Sequence, residues 1–81
     1  MIQILFFAQV RELTGTDSLT LAAEYPDVAA LRAALAVQGE RWSLALDTEQ
    51  LLVAVNQTLV SLDHPLRAGD EVAFFPPVTG G

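Results

Sequence analysis

A chain of 81 residues provides one small hydrophobic core, and its 52% hydrophobic and 17% charged content excludes an intrinsically disordered polymer. It contains no Cys and a single His, which excludes disulfides, iron–sulfur clusters, thiolate zinc sites and a catalytic thiol. Ten acidic residues against four basic ones give a formal net charge of -6, which repels phosphate backbones and anionic lipids, so we expect no nucleic-acid and no membrane partner.

The beginning of the chain predicts a β-hairpin. Residues 2–8 are apolar and β-prone, and strand alternation places Ile2, Ile4 and Phe6 on one face. Residues 10–13 predict a single helical turn, and residues 18–21 alternate as a second, antiparallel strand. The same N-terminal stretch has no basic region or cleavage site of a signal peptide and no membrane-length apolar run, so we expect a cytoplasmic protein.

The clearest helix of the sequence begins after Pro26, which stops the preceding strand, with Asp27 as the N-cap. Its end is predicted at Gly39, in the left-handed conformation of a C-cap. Residues 40–46 are either a short second helix or an irregular packing segment, and we favour the helix. The buried stripe of the main helix is expected to consist of Val28, Leu31 and Leu35.

The rest of the chain predicts three more strands. A turn at residues 56–57 separates the first two, and the third ends where Pro76 and Pro77 stop ladder pairing. Further turns are predicted at residues 63–65 and 68–70. The three predicted strands are residues 51–55, 58–60 and 71–75.

This order of elements predicts an α+β domain over residues 1–75 and an extended C-terminal tail over residues 76–81. A mixed sheet packed on one main helix, with the first and last strands central and parallel, resembles the β-grasp arrangement of ubiquitin-like proteins. Side chains alternate along a strand, so Phe7 and Phe75 point away from the core side on which Phe6 and Phe74 lie. We therefore expect Phe7 and Phe75 to be exposed on the other face of the sheet.

No side chain of the sequence makes a convincing catalyst. Gly15 lacks the neighbouring glycines and the Lys of a phosphate-binding loop, and His64 has no nucleophile motif around it. The adjacent Asp70 and Glu71 favour a turn and a strand edge over a metal site. We therefore expect no resident cofactor or metal, and a reactive group on the main chain rather than on a side chain.

The C-terminal tail is uncharged, its two prolines favour an extended backbone, and Gly80 and Gly81 lack a Cβ. Six extended residues reach about 20 Å, and a Gly-Gly end can enter a narrow cleft. The reactive group predicted by this pattern is the main-chain carboxylate of Gly81. The alternative is a Gly-Gly end that has no function.

Three segments of the chain carry a resemblance to a known family. They read ILFFAQVREL (residues 4–13), AVNQ (residues 54–57) and GDEVAFFPPVTGG (residues 69–81), and the last is highly specific. Together they resemble the small subunits of molybdopterin synthase, the sulfur carriers of molybdenum cofactor synthesis. The similarity covers essentially the whole chain.

The resemblance implies a sulfur-transfer cycle. An activating enzyme adenylates the carboxylate of Gly81 with ATP, and a sulfur donor protein displaces AMP to leave a thiocarboxylate. The tail then enters the large catalytic subunit, where the sulfur attacks a cyclic pyranopterin monophosphate, and two transfers build the dithiolene of molybdopterin. Two small subunits flank a dimer of large subunits in that family.

Carried onto this sequence, the resemblance makes Gly81 the acceptor and Gly80 the slim position before it. It also implies an apolar docking face of Phe7, Leu59 and Phe75. Arg11 lies beside that face and either pairs with a partner carboxylate or is a solvated surface residue. The remaining tail residues expected to contact the partner are Pro76, Pro77, Val78 and Thr79.

Two other readings of the sequence remain open. A sulfur carrier for thiamine or tRNA thiolation, or a ubiquitin-like modifier, has the same fold and Gly-Gly end, and differs in the protein that accepts the tail. A plain β-grasp interaction module with an idle tail tolerates the loss of Gly81.

Overall fold

The computed structural model describes residues 1–47 and 50–77 of the chain. Within these ranges the polypeptide forms five strands and three helices. In chain order they are β1 (Ile2–Phe6), α1 (Ala8–Thr14), β2 (Ser18–Leu21), α2 (Val28–Ala36), α3 (Glu40–Leu46), β3 (Leu52–Val55), β4 (Thr58–Leu59) and β5 (Glu71–Phe75).

The five strands form one mixed sheet in the order β2-β1-β5-β3-β4. The first and last strands of the sequence lie side by side and parallel, with Ile4 opposite Val72 and Phe6 opposite Phe74. The other neighbouring strands pair antiparallel. This arrangement confirms the predicted α+β, ubiquitin-like β-grasp fold, in which the first and last strands of the chain pair side by side inside the sheet.

The core lies between one face of the sheet and the helices. The rings of Phe6 and Phe74 stack with their centroids 6.2 Å apart, and Trp42 of α3 meets Phe6 edge-on at 5.4 Å. Each fully buried side chain of this size contributes about 1.5–3 kcal/mol relative to an exposed position. Helix α2 adds the buried stripe that its sequence predicted, namely Val28, Leu31 and Leu35.

The main helix begins as predicted and ends differently. The Asp27 carboxylate accepts a hydrogen bond from the Ala30 amide at 2.9 Å, which confirms the N-cap. The predicted C-cap at Gly39 is wrong, because α2 already ends at Ala36 with Val37 as its cap. Gly39 instead precedes α3 as its N-cap, with a φ of 173°, which is extended backbone open to any residue. The short helix favoured for residues 40–46 is confirmed as α3.

Between the first two strands, the chain forms more helix than the sequence predicted. Strand β1 stops at Phe6, and α1 then covers two turns rather than one. Gly15 ends this helix in the left-handed conformation, at a φ of 66°, and its amide donates to the Arg11 carbonyl. Burial of Val10 against the core stabilises the extra turn, which local sequence pattern alone does not reveal.

A hydrogen-bonded cluster holds the start of β5 against the β3–β4 turn. The Asn56 side-chain amide donates to Asp70 Oδ1 at 2.9 Å, and its oxygen accepts from the Glu71 amide at 3.0 Å. The Arg67 amide donates to Asp70 Oδ2 at 2.8 Å. The bonds from Asn56 and then from Arg67 lower the pKa of Asp70, because they favour its charged form.

The lowered pKa of Asp70 predicts that its carboxylate stabilises the folded protein by an amount that depends on pH. At pH values above the ordinary pKa of 3.8, the native carboxylate is charged and makes its full contribution to the free energy of unfolding. As the pH falls below that value and through the lower native pKa, the carboxylate becomes protonated and the contribution is lost. Asp70→Asn should therefore lower the free energy of unfolding at pH 6 by at most about 1 kcal/mol, since solvent reaches the site.

Urea unfolding of both proteins at pH 6 and at pH 3 measures this difference. We expect the gap between the two proteins to shrink at the lower pH. A gap of the same size at both pH values would contradict the role of the charged Asp70.

Candidate functional site

The face of the sheet turned away from the helices carries a continuous row of apolar side chains. Strand register places Leu5 opposite Ala73, Ala73 opposite Ala54, and Ala54 opposite Leu59. Side chains of directly paired residues point to the same side of a sheet, so this row crosses four strands. Leu59 lies at its end on the short edge strand and is 64% exposed.

A second apolar row lies beside the first. Phe75 pairs with Leu52 across β5 and β3. The Phe7 amide donates to the Phe74 carbonyl at 3.1 Å, and Phe7 keeps an extended backbone, so the parallel pairing continues one residue beyond β1. We call the two rows together the open face; it consists of Leu5, Phe7, Leu52, Ala54, Leu59, Ala73 and Phe75.

The four phenylalanines of the chain differ in how far the structure buries them. Phe6 and Phe74 are buried in the core and Phe7 is 45% exposed, which confirms the alternation at these three positions. Phe75 is half-buried rather than fully exposed, because it lies on an interior strand with Leu52 beside it. The structure brings Phe7, Leu59 and Phe75 onto one surface, and their role in docking stays a prediction.

Arg11 lies on α1, near the end of the sheet where Phe7 sits. Its Nε is 3.8 Å from a carboxylate oxygen of Asp17, and both side chains are largely exposed. Exposed ion pairs of this kind contribute little to stability, so the pair does not fix Arg11 in place. A role for Arg11 toward a partner stays a prediction.

The C-terminal tail follows β5 directly. Pro76 and Pro77 are the last residues that the structure describes, and neither belongs to a strand. Strand β5 ends at Phe75, and the division of the chain into a domain and a tail at this residue stays a prediction. The predicted roles of Val78, Thr79, Gly80 and Gly81 concern residues outside the described ranges.

Next to these prolines, the structure contains a groove that the sequence analysis missed. Its volume is about 200 Å³, and α1 and α3 form two of its walls. Leu44 of α3 is 65% exposed beside this groove, and the sequence alone does not show that exposure, because the helix is apolar on several sides. The groove is lined by Gln9, Val10, Leu13, Leu44, Ala45, Gln50, Leu51, Pro76 and Pro77.

A sharp change of chain direction joins the open face to this groove. Ala8 has a φ of 51°, in the left-handed region that residues with a side chain rarely adopt. Phe7, just before it, belongs to the open face, and Gln9, just after it, lines the groove. The two surfaces therefore meet at the end of the sheet where the tail begins.

In the part of the chain that the structure describes, no three acidic, His or Cys side chains come together in a way that suits a metal ion. Nor do the described helices include one with the length and hydropathy of a membrane span. His64 contributes through its backbone, since its carbonyl accepts a hydrogen bond from the Val28 amide at 3.1 Å.

Comparison with known proteins identifies the family. The model of the ThiS family matches residues 4–81. The chain belongs to the ThiS family. Among curated relatives of this ThiS-family chain, the molybdopterin synthase sulfur carrier subunit of Escherichia coli K12 is 68% identical over 81 residues. The alignment covers the full length of both chains.

Solved structures give the same fold for this ThiS-family chain. SAMP1 from Haloferax volcanii superposes with a TM-score of 0.76 at 25% identity, over 99% of this chain and 98% of the other. A protein-protein complex of subunits 1 and 2 of molybdopterin-converting factor from Helicobacter pylori contains a chain that matches with a TM-score of 0.71 and 27% identity. That match covers 99% of this chain and 97% of the other.

The two faces of the sheet predict opposite responses to substitution. Phe74→Ala should lower the free energy of unfolding by about 3–5 kcal/mol, because it leaves a cavity beside Phe6. Leu59→Glu should change it by less than about 0.5 kcal/mol, because the side chain is exposed on an edge strand. Denaturant unfolding of both variants measures the two effects, and a larger loss for Leu59→Glu would contradict the assignment of faces.

Proposed function

We propose that this chain is the sulfur carrier subunit of a molybdopterin synthase and that the main-chain carboxylate of Gly81 carries the sulfur. The observation that supports this most strongly is the 68% identity, over the full length of both chains, to the Escherichia coli protein of that name. The fold supports it independently, because β5 is an interior strand and the tail continues directly from it.

The chemistry of the proposed cycle uses the main chain because the side chains offer no equivalent group. The sequence has no Cys, and the single His has no nucleophile motif around it. A carboxylate is a poor electrophile, so the activating enzyme first lets a Gly81 oxygen attack the α-phosphate of ATP, with release of pyrophosphate. The donor protein then supplies sulfur at the oxidation level of sulfide, which attacks the acyl carbon. The C–O bond to AMP breaks, AMP leaves, and the chain ends in a thiocarboxylate.

The thiocarboxylate supplies a nucleophilic sulfur to the large subunit. There it attacks a carbon of the cyclic pyranopterin monophosphate, where the new C–S bond replaces a C–O bond. Water then cleaves the thioester C–S bond at Gly81, which returns Gly81 to a carboxylate and leaves the sulfur on the pterin. Two such transfers complete a dithiolene. The chain itself needs no resident cofactor, since ATP and AMP are bound by the activating enzyme.

The open face suits the docking step of this cycle. Phe7 and Leu59 expose apolar surface that the fold does not need, and Phe75 joins them beside the start of the tail. Exposed apolar surface of this kind marks interaction sites. We propose that the large subunit covers this face, two small subunits flanking a dimer of large subunits, and that the activating enzyme uses the same face in turn.

A ubiquitin-like modifier is the second candidate, and the fold similarity to SAMP1, a small archaeal modifier protein, favours it. Both functions require an activated Gly81. They differ in the acceptor, since a modifier forms an amide bond to another protein whereas a carrier gives up its sulfur. The higher identity to the Escherichia coli carrier favours sulfur transfer.

The proposal predicts sulfur at one defined position. Incubation with the activating enzyme, ATP and a sulfur donor should replace one oxygen of the Gly81 carboxylate by sulfur. Intact-mass and fragment-ion spectrometry locate the change. Sulfur at another residue, or none with an activating enzyme that modifies a known substrate, would contradict the proposal.

Deletion of Gly81 serves as the matched variant in the same experiment. It should abolish sulfur loading and transfer, and circular dichroism should show an unchanged fold because the described core ends at Phe74. A truncated chain that still supports molybdopterin formation would favour the interaction module with an idle tail.

Docking through the open face predicts a large loss of affinity for one exposed residue. Leu59→Glu should weaken binding to the large subunit about 10-fold or more, because a buried leucine contributes about 1.5–3 kcal/mol. Val37→Glu is the control, since Val37 is 82% exposed and lies at the end of α2, away from this face. Isothermal titration measures both, and equal affinities for the two variants would remove Leu59 from the docking surface.

A further inference from the structure

The groove between α1 and α3 has no evident structural purpose. Leu44 lies at its rim and is 65% exposed, although it belongs to a helix whose neighbouring residues Ala45 and Leu46 are buried. Leu13 and Leu51 line the same groove and are half-buried. Three leucines thus present apolar surface around a space of about 200 Å³, which has room for a large apolar side chain.

The position of the groove determines what can cover it. Pro76 and Pro77 form part of its wall, and four residues follow Pro77 in the sequence. Four extended residues span at most about 14 Å. A protein that encloses the carboxylate of Gly81 must therefore lie within that distance of the groove.

The charge of the groove differs from that of the whole chain. None of its nine lining residues is charged, whereas the chain carries a net charge of -6. The polar side chains in the lining are those of Gln9 and Gln50, and neither carries a charge. The groove therefore fits an apolar side chain on a protein segment rather than a phosphate or another ion.

We propose that this groove is a second docking site for the large subunit, which inserts an apolar side chain between Leu13, Leu44 and Leu51. This inference rests on the proposed function. The groove lies on the helical side of the sheet end and the open face on the other side, and the turn at Ala8 joins them. The large subunit thus holds the base of the tail from two sides.

The test compares Leu44→Glu with the control Val37→Glu, which places the same charge on an exposed residue outside the groove. Both variants should keep the melting temperature of the unsubstituted protein. Titration with the large subunit should show an affinity about 10-fold or more lower for Leu44→Glu and unchanged for Val37→Glu. Leu44→Gln adds no charge and should lose a similar amount of affinity for the large subunit. This loss should persist at 0.5 M salt, because the contact is apolar.

A second comparison separates docking of the partner from docking of the tail. The same substitution is made in a chain that lacks residues 78–81. If the large subunit occupies the groove, Leu44→Glu should weaken binding of the truncated chain by the same factor. If the effect disappears with the tail, the groove acts on the tail itself and the proposal is overturned.

The outcomes also distinguish this inference from the function on which it rests. A chain that binds the large subunit and transfers sulfur, with equal affinity for the unsubstituted and Leu44→Glu proteins, would overturn the groove alone. Absence of binding by the unsubstituted chain to a large subunit that accepts a known carrier would overturn the proposed function.

Discussion

The parallel pairing of β1 with β5 is the interaction on which the rest of the structure depends. It brings Phe6 and Phe74 into contact in the core, at a centroid distance of 6.2 Å. Because side chains alternate along a strand, the same register turns Phe7 and Phe75 toward the opposite face. It also directs the chain beyond Phe75 to the end of the sheet where α1 begins, so one register fixes the core, the open face and the origin of the tail.

Two neighbouring features maintain that register. At one end of β5, Asn56 and Asp70 connect the strand start to the β3–β4 turn through a cluster of short hydrogen bonds. At the other end, the Phe7 amide bonds to the Phe74 carbonyl and extends the ladder by one residue. These hydrogen bonds at both ends of β5 matter for the whole surface, because a shift of the register by one residue would exchange the two faces of the strand.

The sequence predicted an element of the fold correctly where the pattern that marks the element is local or periodic. Alternation of apolar residues identified β1 and β5, and Asp27 identified the start of α2, since both signals act within a few residues. The C-cap predicted at Gly39 was wrong because a glycine near a helix end suits the extended backbone before α3 as well as a left-handed cap. The groove was missed because Leu13, Leu44, Leu51 and the prolines are distant in sequence, and only the packing of α1 against α3 brings them together.

The sheet order has a consequence for how the chain folds. β5 is the last strand in sequence and lies between β1 and β3, so neither half of the sheet can join the other until β5 has inserted. Pairings between residues so far apart in sequence form slowly, because the loop that connects them must first lose its conformational freedom. Phe75 and Pro76 therefore lie beside Phe7 only in chains in which β5 has paired with β1. A partner that recognises these residues together would bind such chains and not incompletely folded ones.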